Sequence, residues 1–202
     1  DETGGGDDDE NIEDPIVHEC QKNFTILMSD GHWSGGSDGV QSDEDGDTFV
    51  DTVADTAKFY YDKDLSPLPN EVPPDPADSA DWQHMVTFPV AFGLEGVLRD
   101  TDGDGWPDPA LTESDSWGDP TTCSFQECPE KIDDMWHAGF NSKGTFVSAK
   151  TPAALTEALT DAVETVAARA SSAAAVAVNS GSFQTGSKLF QARFNSNDWS
   201  GD

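Results

Sequence analysis

Positive charge is scarce in this sequence: ten Lys and Arg stand against forty Asp and Glu, a formal net charge of −30. That scarcity excludes nucleic-acid binding, because phosphates are held by Lys and Arg that displace counterions. It also sets the chain against anionic membrane surfaces. No apolar run is long enough to span a bilayer, so membrane insertion is not expected. Cysteines number three. Cys123 and Cys128, in TTCSFQEC, are spaced to close a small ring in an oxidising compartment. Cys20 is then left over, either paired outside this sequence or held as a buried thiol. A zinc set of His18, Cys20, Cys123 and Cys128 lacks any CxxC or HxxxH spacing.

Catalytic signatures are missing as well. There is no GxSxG, HExxH or P-loop pattern. The four histidines, His18, His32, His84 and His137, have no nucleophile or paired carboxylate at a diagnostic spacing. Trp33, Trp82, Trp106 and Trp117 are expected to pack against core or loop, with surface or glycan contact as the alternative. The sequence begins at Asp1 rather than Met, which suggests processing or a segment of a longer polypeptide.

What is present is acid in ordered clusters, and hard divalent cations choose carboxylate oxygens. Residues 1–19 are mostly Gly- and acid-rich and read as a linker or loop. The run NFTILM, Asn23 to Met28, predicts a buried parallel strand. A helix is predicted from about Asp47 to Asp62, with Asp47 as N-cap; Phe49, Val53, Ala57 and Tyr60 form its apolar stripe, widened by Val50, Ala54 and Tyr61. MVTFPVAF, Met85 to Phe92, predicts a second strand, which Pro89 places at an edge or a bulge. An insertion rich in Asp, Gly and Pro runs from about 94 to 131. A short helix over Ile132 to Ala138 and a strand over Gly144 to Ser148 follow. A long helix then opens with Thr151 as N-cap and Pro152 at its first position, with Leu155, Leu159, Val163 and Val166 facing the core. Strands alternating with helices predict an α/β fold with a parallel sheet. The two long strands should be parallel neighbours.

Two loops carry the candidate metal chemistry. Asp100, Asp102, Asp104 and Asp108, in DTDGDGWPD, approach the DxDxDGxxD pattern of calcium loops. Alternate carboxylates converge there, Gly105 allows the turn, and the Trp106 carbonyl fills the next position. Leu111 stands where a twelfth-position acid is usual. Asp43, Asp45, Asp47 and Asp51, in DEDGDTFVD, repeat the alternation with Thr48 at the turn. There, Asp47 and Asp51 have a second reading as N-cap and first-turn acids. Asp30 follows the first strand, where ligands of open parallel sheets sit, and reads as a cation ligand or a turn cap.

CQKNFTILMSDG resembles the strand and Asp-Gly turn of a von Willebrand factor A domain, whose Asp belongs to a metal-ion-dependent adhesion site. With VTFPVAFG, DDMWHAGFNSKGTFVSAKTPAALTEAL, ASSAAAVAVNS and KLFQARFNSNDWSGD, the chain is similar to the PilY-like family of type IV pilus biogenesis and tip-associated adhesins. The resemblance implies a von Willebrand factor A-like (Rossmann-like) domain over 20–178, incomplete at its N-terminus, with the start of a β-propeller over 179–202. It implies a pilus-assembly and adhesion module exported through the periplasm to the cell surface. Pilins or minor pilins, a surface receptor and the rest of its precursor would be its partners. The adhesion site's DxSxS motif is absent from this sequence, so Mg²⁺ or another divalent ion at Asp30 requires residues upstream. Calcium is the cofactor expected at 100–108 and 43–51. The alternatives are a metal-dependent secreted hydrolase with structural calcium loops, and a calcium-stabilised spacer.

Overall fold

A computed structural model describes residues 14–29, 32–33, 40–122 and 128–171, with the backbone of four two-residue strands further on. The linker expected over the first residues lies mostly outside the described part, and so does Asp30.

Three strands form a parallel sheet in the order β1-β2-β3: β1 Asn23–Ser29, β2 Met85–Phe92 and β3 Val147–Ala149. β1 and β2 pair in register from Asn23 with Met85 to Ser29 with Ala91. Both long strands lie where the apolar runs predict, as parallel neighbours. β2 is the central strand, contrary to the edge or bulge expected from Pro89. The ladder stays regular because β3 joins only from Val90 onward, so Pro89 has a described strand neighbour on one side, at Leu27.

Side chains alternate across the sheet, and helices cover both faces, as parallel sheets require. On one face Val86 and Phe88 pack with Ala162 of α3, Pro152–Ser171, joined by Phe24 and Val166. On the other, Ala91 packs with Ile132 and Met135 of α2, Glu130–Asn141, joined by Leu27, Leu94 and Phe146. Burying each such large apolar side chain contributes about 1.5–3 kcal/mol. α2 comes close to β2 because two glycines permit it. A Cβ on Gly139 would stand 3.1 Å from Pro89, and one on Gly144 would collide with the Thr87 carbonyl at 1.8 Å.

α1, Val53–Asp62, starts six residues later than predicted. Its N-cap is Thr52, not Asp47. Thr52 Oγ1 accepts the Asp55 amide at 3.0 Å, and the Asp55 carboxylate accepts the Thr52 amide at 3.1 Å. Two backbone donors are thereby satisfied reciprocally. The buried face of α1 is Ala54, Ala57 and Tyr61, all in the predicted stripe, while Val50, which precedes the helix, and Tyr60 are exposed. α2 is longer than predicted, and β3 lies three residues further along. α3 begins as expected, with Thr151 Oγ1 accepting the Ala154 amide at 3.1 Å. Its buried face is Ala158, Ala162 and Arg169, and Val163, expected in the core, is exposed.

The proline-rich segment between α1 and β2 is pinned by a buried polar cluster. Asp78 accepts hydrogen bonds from Tyr61 at 2.8 Å and Arg169 at 3.0 Å, and its carboxylate meets His84 Nε2 at 2.8 Å. Asp75 accepts from Arg169 Nε at 2.9 Å and Lys22 at 2.8 Å. β1 is the sheet edge among the described residues and leaves Ile26 and Met28 exposed. Between it and α1 lies an apolar hollow of ≈ 320 Å³ lined by Leu27, Val53, Ala57, Tyr60 and Met85. In the later segment, β4 Ala177–Val178 pairs antiparallel with β5 Leu189–Phe190, and β6 Phe194–Asn195 with β7 Ser200–Gly201.

Candidate metal centres

Each long strand hands over to its helix through an acidic loop. β1 leads through 43–51 to α1, and β2 leads through 100–108 to α2. Each loop follows the carboxyl end of its strand in the chain, and both pack on the second half of α2, the first at His137 and Asn141 and the second at Trp136 and Phe140.

The two loops have one backbone. Asp43 accepts the amides of Gly46 at 2.6 Å and Thr48 at 3.1 Å; Asp100 accepts those of Gly103 at 2.7 Å and Gly105 at 2.9 Å. Asp45 accepts Asp47 N and Asp102 accepts Asp104 N, both at 3.2 Å. Asp47 accepts Phe49 N and Asp104 accepts Trp106 N, both at 2.8 Å. The left-handed residues coincide too: Gly46 (φ 84°) with Gly103 (80°), and Thr48 (82°) with Gly105 (91°). Four matched hydrogen bonds and two matched positive φ angles make this a structural repeat. The sequence signals it through Gly46 and Gly103 at the fourth position and an aromatic at the seventh, signals that the alternation of acids alone does not capture.

Thr48 holds a conformation that suits glycine, and left-handed backbone costs a β-branched residue about 1–2 kcal/mol. Thr48→Gly should therefore raise the melting temperature by about 2–4 °C. Thermal unfolding followed by circular dichroism measures this, and an unchanged or lower midpoint would contradict the strain.

Their surroundings differ. The second loop is exposed at all four aspartates. Asp100, Asp102 and Asp108 bring ligand oxygens within 4.8 Å of one another, with Asp104 outside that group. Asp108 is bonded by the Thr101 amide at 2.7 Å. α2 anchors this loop: Trp136 Nε1 donates to the Gly105 carbonyl at 3.1 Å, and Trp106 meets Phe140 edge-on with centroids 5.2 Å apart.

The first loop is partly enclosed, with Asp43, Gly46 and Thr48 exposed. Asp45 and Asp47 are buried, and each joins a cluster the sequence reading did not foresee. One is Asp43, Asp45 and Asp55; the other is Asp45, Asp47 and His137. Asp51 belongs to neither. His137 Nε2 donates to the Glu113 carbonyl at 2.9 Å and lies 3.5 Å from Asp45, while Nδ1 lies 3.7 Å from Asp47. Trp117 stacks flat on the imidazole, with centroids 4.7 Å apart. Asn141, one turn after His137, donates to Asp45 at 2.8 Å. Burial pushes Asp47 up to about 7 and also raises Asp45 and Asp55; it lowers His137 to about 4. Next to them, Asp134 accepts the first two amides of α1, at 3.1 and 3.0 Å, and Asp133 those of Val97 and Leu98 at 2.7 and 3.1 Å. Burial raises these to about 7 and about 6. Carboxylates concentrated in this way are stable when a cation or protons neutralise them.

Of the thiols, Cys128 is disulfide-bonded, and Cys20 is free within this chain and exposed, not the buried thiol that is one of the two expectations for it; Cys123 lies outside the described residues. A disulfide sulfur is no zinc thiolate, so the His18–Cys20–Cys123–Cys128 set is not assembled.

The chain is 28% identical, over 94% of its length and 20% of the relative's, to the type IV pilus biogenesis factor PilY1 of Pseudomonas aeruginosa strain UCBPP-PA14. The same factor of strain PAK matches at 28% over 92% of the chain. The chain is PilY-like. It spans about a fifth of the length of these curated relatives. No family model and no solved structure matches it. Among the described residues, no helix of this PilY-like chain is long and apolar enough to cross a membrane.

Proposed function

We propose that this chain is a calcium-stabilised, von Willebrand factor A-like module of a cell-surface protein that serves type IV pilus biogenesis and adhesion. The observation that carries the calcium reading is the recurrence of one loop backbone in two consecutive strand-to-helix connections. Asp100, Asp102, Asp104 and Asp108, with the Trp106 carbonyl, and Asp43, Asp45, Asp47 and Asp51 are the ligands proposed. The α/β sheet is compatible with an A-type domain. The pilus reading is supported by the PilY1 relatives, which are named as type IV pilus biogenesis factors. Pilins and an external receptor are its proposed partners, and the extracellular surface its location.

The role of the module is mechanical rather than catalytic. Each loop gathers carboxylates that repel one another, and an ion that neutralises them fixes how a strand connects to its helix. Extracellular sites of this kind work at about 10⁻⁴–10⁻³ M calcium. Magnesium substitutes poorly, because it demands a tighter octahedron and gives up water reluctantly. Calorimetric titration of the wild type and of Asp102→Ala with Asp104→Ala tests the reading. The double variant should lose the heat of the second loop; equal heats from both proteins, or none from either, would sink it. In the full-length protein the same substitutions should reduce surface piliation seen by electron microscopy.

A further inference from the structure

A cavity of ≈ 240 Å³ opens where the start of the β2–α2 connection meets α2 and β3. One wall is apolar. Trp136 and Phe146 form it, their rings stacked with centroids 5.6 Å apart and the indole held by the Gly105 carbonyl. The other wall carries Arg99 among three acids, Glu95, Asp100 and Asp133. Each acid is already met: Glu95 by Lys150 at 2.6 Å, Asp100 by the Gly103 and Gly105 amides, and Asp133 by those of Val97 and Leu98. Arg99 is met on one nitrogen only. Its Nη1 donates to the Gly96 and Leu98 carbonyls, both at 2.7 Å, while Nε and Nη2 have no acceptor among the described residues. The guanidinium is planar and rigid, so fixing one nitrogen fixes the direction of the others.

That free edge asks for acceptor oxygens. An anion is disfavoured, because three carboxylates share the wall and the chain carries a net charge of −30. The carboxylates keep lone pairs of their own and ask for donors. A hydroxyl group is both acceptor and donor. A ligand with neighbouring hydroxyls on one edge and an apolar face for the aromatic wall is a neutral sugar. We propose that this cavity binds one pyranose residue of a neutral glycan, with its C–H face on Trp136 and Phe146 and two adjacent hydroxyls between Arg99 and the carboxylates beside it. The proposal deepens the adhesion reading by naming the chemistry of the external receptor, and it rests on that reading only for where the sugar is met.

The test is NMR titration of the isotope-labelled chain, in calcium buffer, with the methyl glycosides of glucose, galactose, mannose and N-acetylglucosamine. At least one should bind with a dissociation constant on the order of 1 mM, the strength expected of about a dozen non-hydrogen atoms. The Trp136 indole signal and the Gly96 and Gly105 amides should move with it. Arg99 is exposed, so Arg99→Gln leaves the core untouched, and it should weaken that binding by about tenfold. N-acetylneuraminic acid, a sugar bearing a carboxylate, should bind more weakly than the neutral sugars; tighter binding of it overturns the choice of class. No movement of these signals with any of the four sugars at about 50 mM, or movement that Arg99→Gln leaves unchanged, overturns the proposal and leaves the loop and pilus readings standing. Binding in solution by a sugar that fails to block attachment of piliated cells would sink the adhesion reading and keep the cavity.

Discussion

Asp78→Ala lowers the stability of the chain by about 3–5 kcal/mol, the cost of removing one partner from a buried charged cluster. The carboxylate is buried, and three groups converge on it: the Tyr61 hydroxyl, His84 and the Arg169 guanidinium. Its loss leaves Arg169 with Asp75 as its remaining carboxylate and removes the shared acceptor of two polar side chains under the 65–84 segment. Acid acts on the same cluster. Although burial opposes it, hydrogen bonds from His84 and Tyr61 hold Asp78 down at about 2. A depressed folded pKa gives stability that is complete above the unfolded value near 4 and lost as pH falls toward 2. Asp133 and Asp134 act with the opposite sign. Burial raises them to about 6 and 7, so their contribution is complete below about pH 4 and is lost as pH rises through 6 and 7. Metal-free protein should therefore be most stable near pH 4–5 and weaker on both sides. Urea unfolding in chelator across pH 2–8 measures it. A flat profile, or Asp78→Ala within about 0.5 kcal/mol of wild type, would show that the cluster is not the fastening described.

The sheet was legible because its strands are apolar runs closed by turn residues, and a parallel sheet buried on both faces needs nothing subtler. The start of α1 was not. Asp47 has the composition of an N-cap, but its carboxylate bonds the Phe49 amide inside the loop, and the helix waits for Thr52 and Asp55. A Thr followed three residues later by an acid was visible in the sequence; two candidate caps five residues apart compete, and only the loop's closure decides between them. The acidic loops were legible as alternating aspartates. What packs against the first of them was not, because Asn141 lies 96 positions from Asp45, and no local pattern links residues so far apart. Thr48 is a different case: its identity argues against a tight turn, and the Asp43 carboxylate that accepts its amide holds one regardless.

Saturating calcium raises the melting temperature of the chain by roughly 10 °C, and this is the effect that separates a cation site from an acidic surface. A ligand that binds only the folded state, present at about a hundred times its dissociation constant, stabilises by about 2.7 kcal/mol per site. For a chain of this size each kcal/mol moves the midpoint by about 2–4 °C. Two sites filled at about 10 mM calcium supply roughly 3–5 kcal/mol. Salt alone is the competing cause, since a net charge of −30 makes any electrolyte stabilising through screening. Screening is indifferent to which divalent ion is present and to four carboxylates among forty. Specific binding is not. Calcium, magnesium and sodium chloride at matched ionic strength should therefore rank in that order, with calcium far ahead. The chain carrying Asp43→Ala, Asp45→Ala, Asp102→Ala and Asp104→Ala should lose the calcium excess while keeping the response to sodium. A four-site variant that still gains as much from calcium as the wild type would mean that these loops are solvated acid held in turns by their own amides, and that the stiffening of the β1–α1 and β2–α2 connections comes from packing on α2 alone.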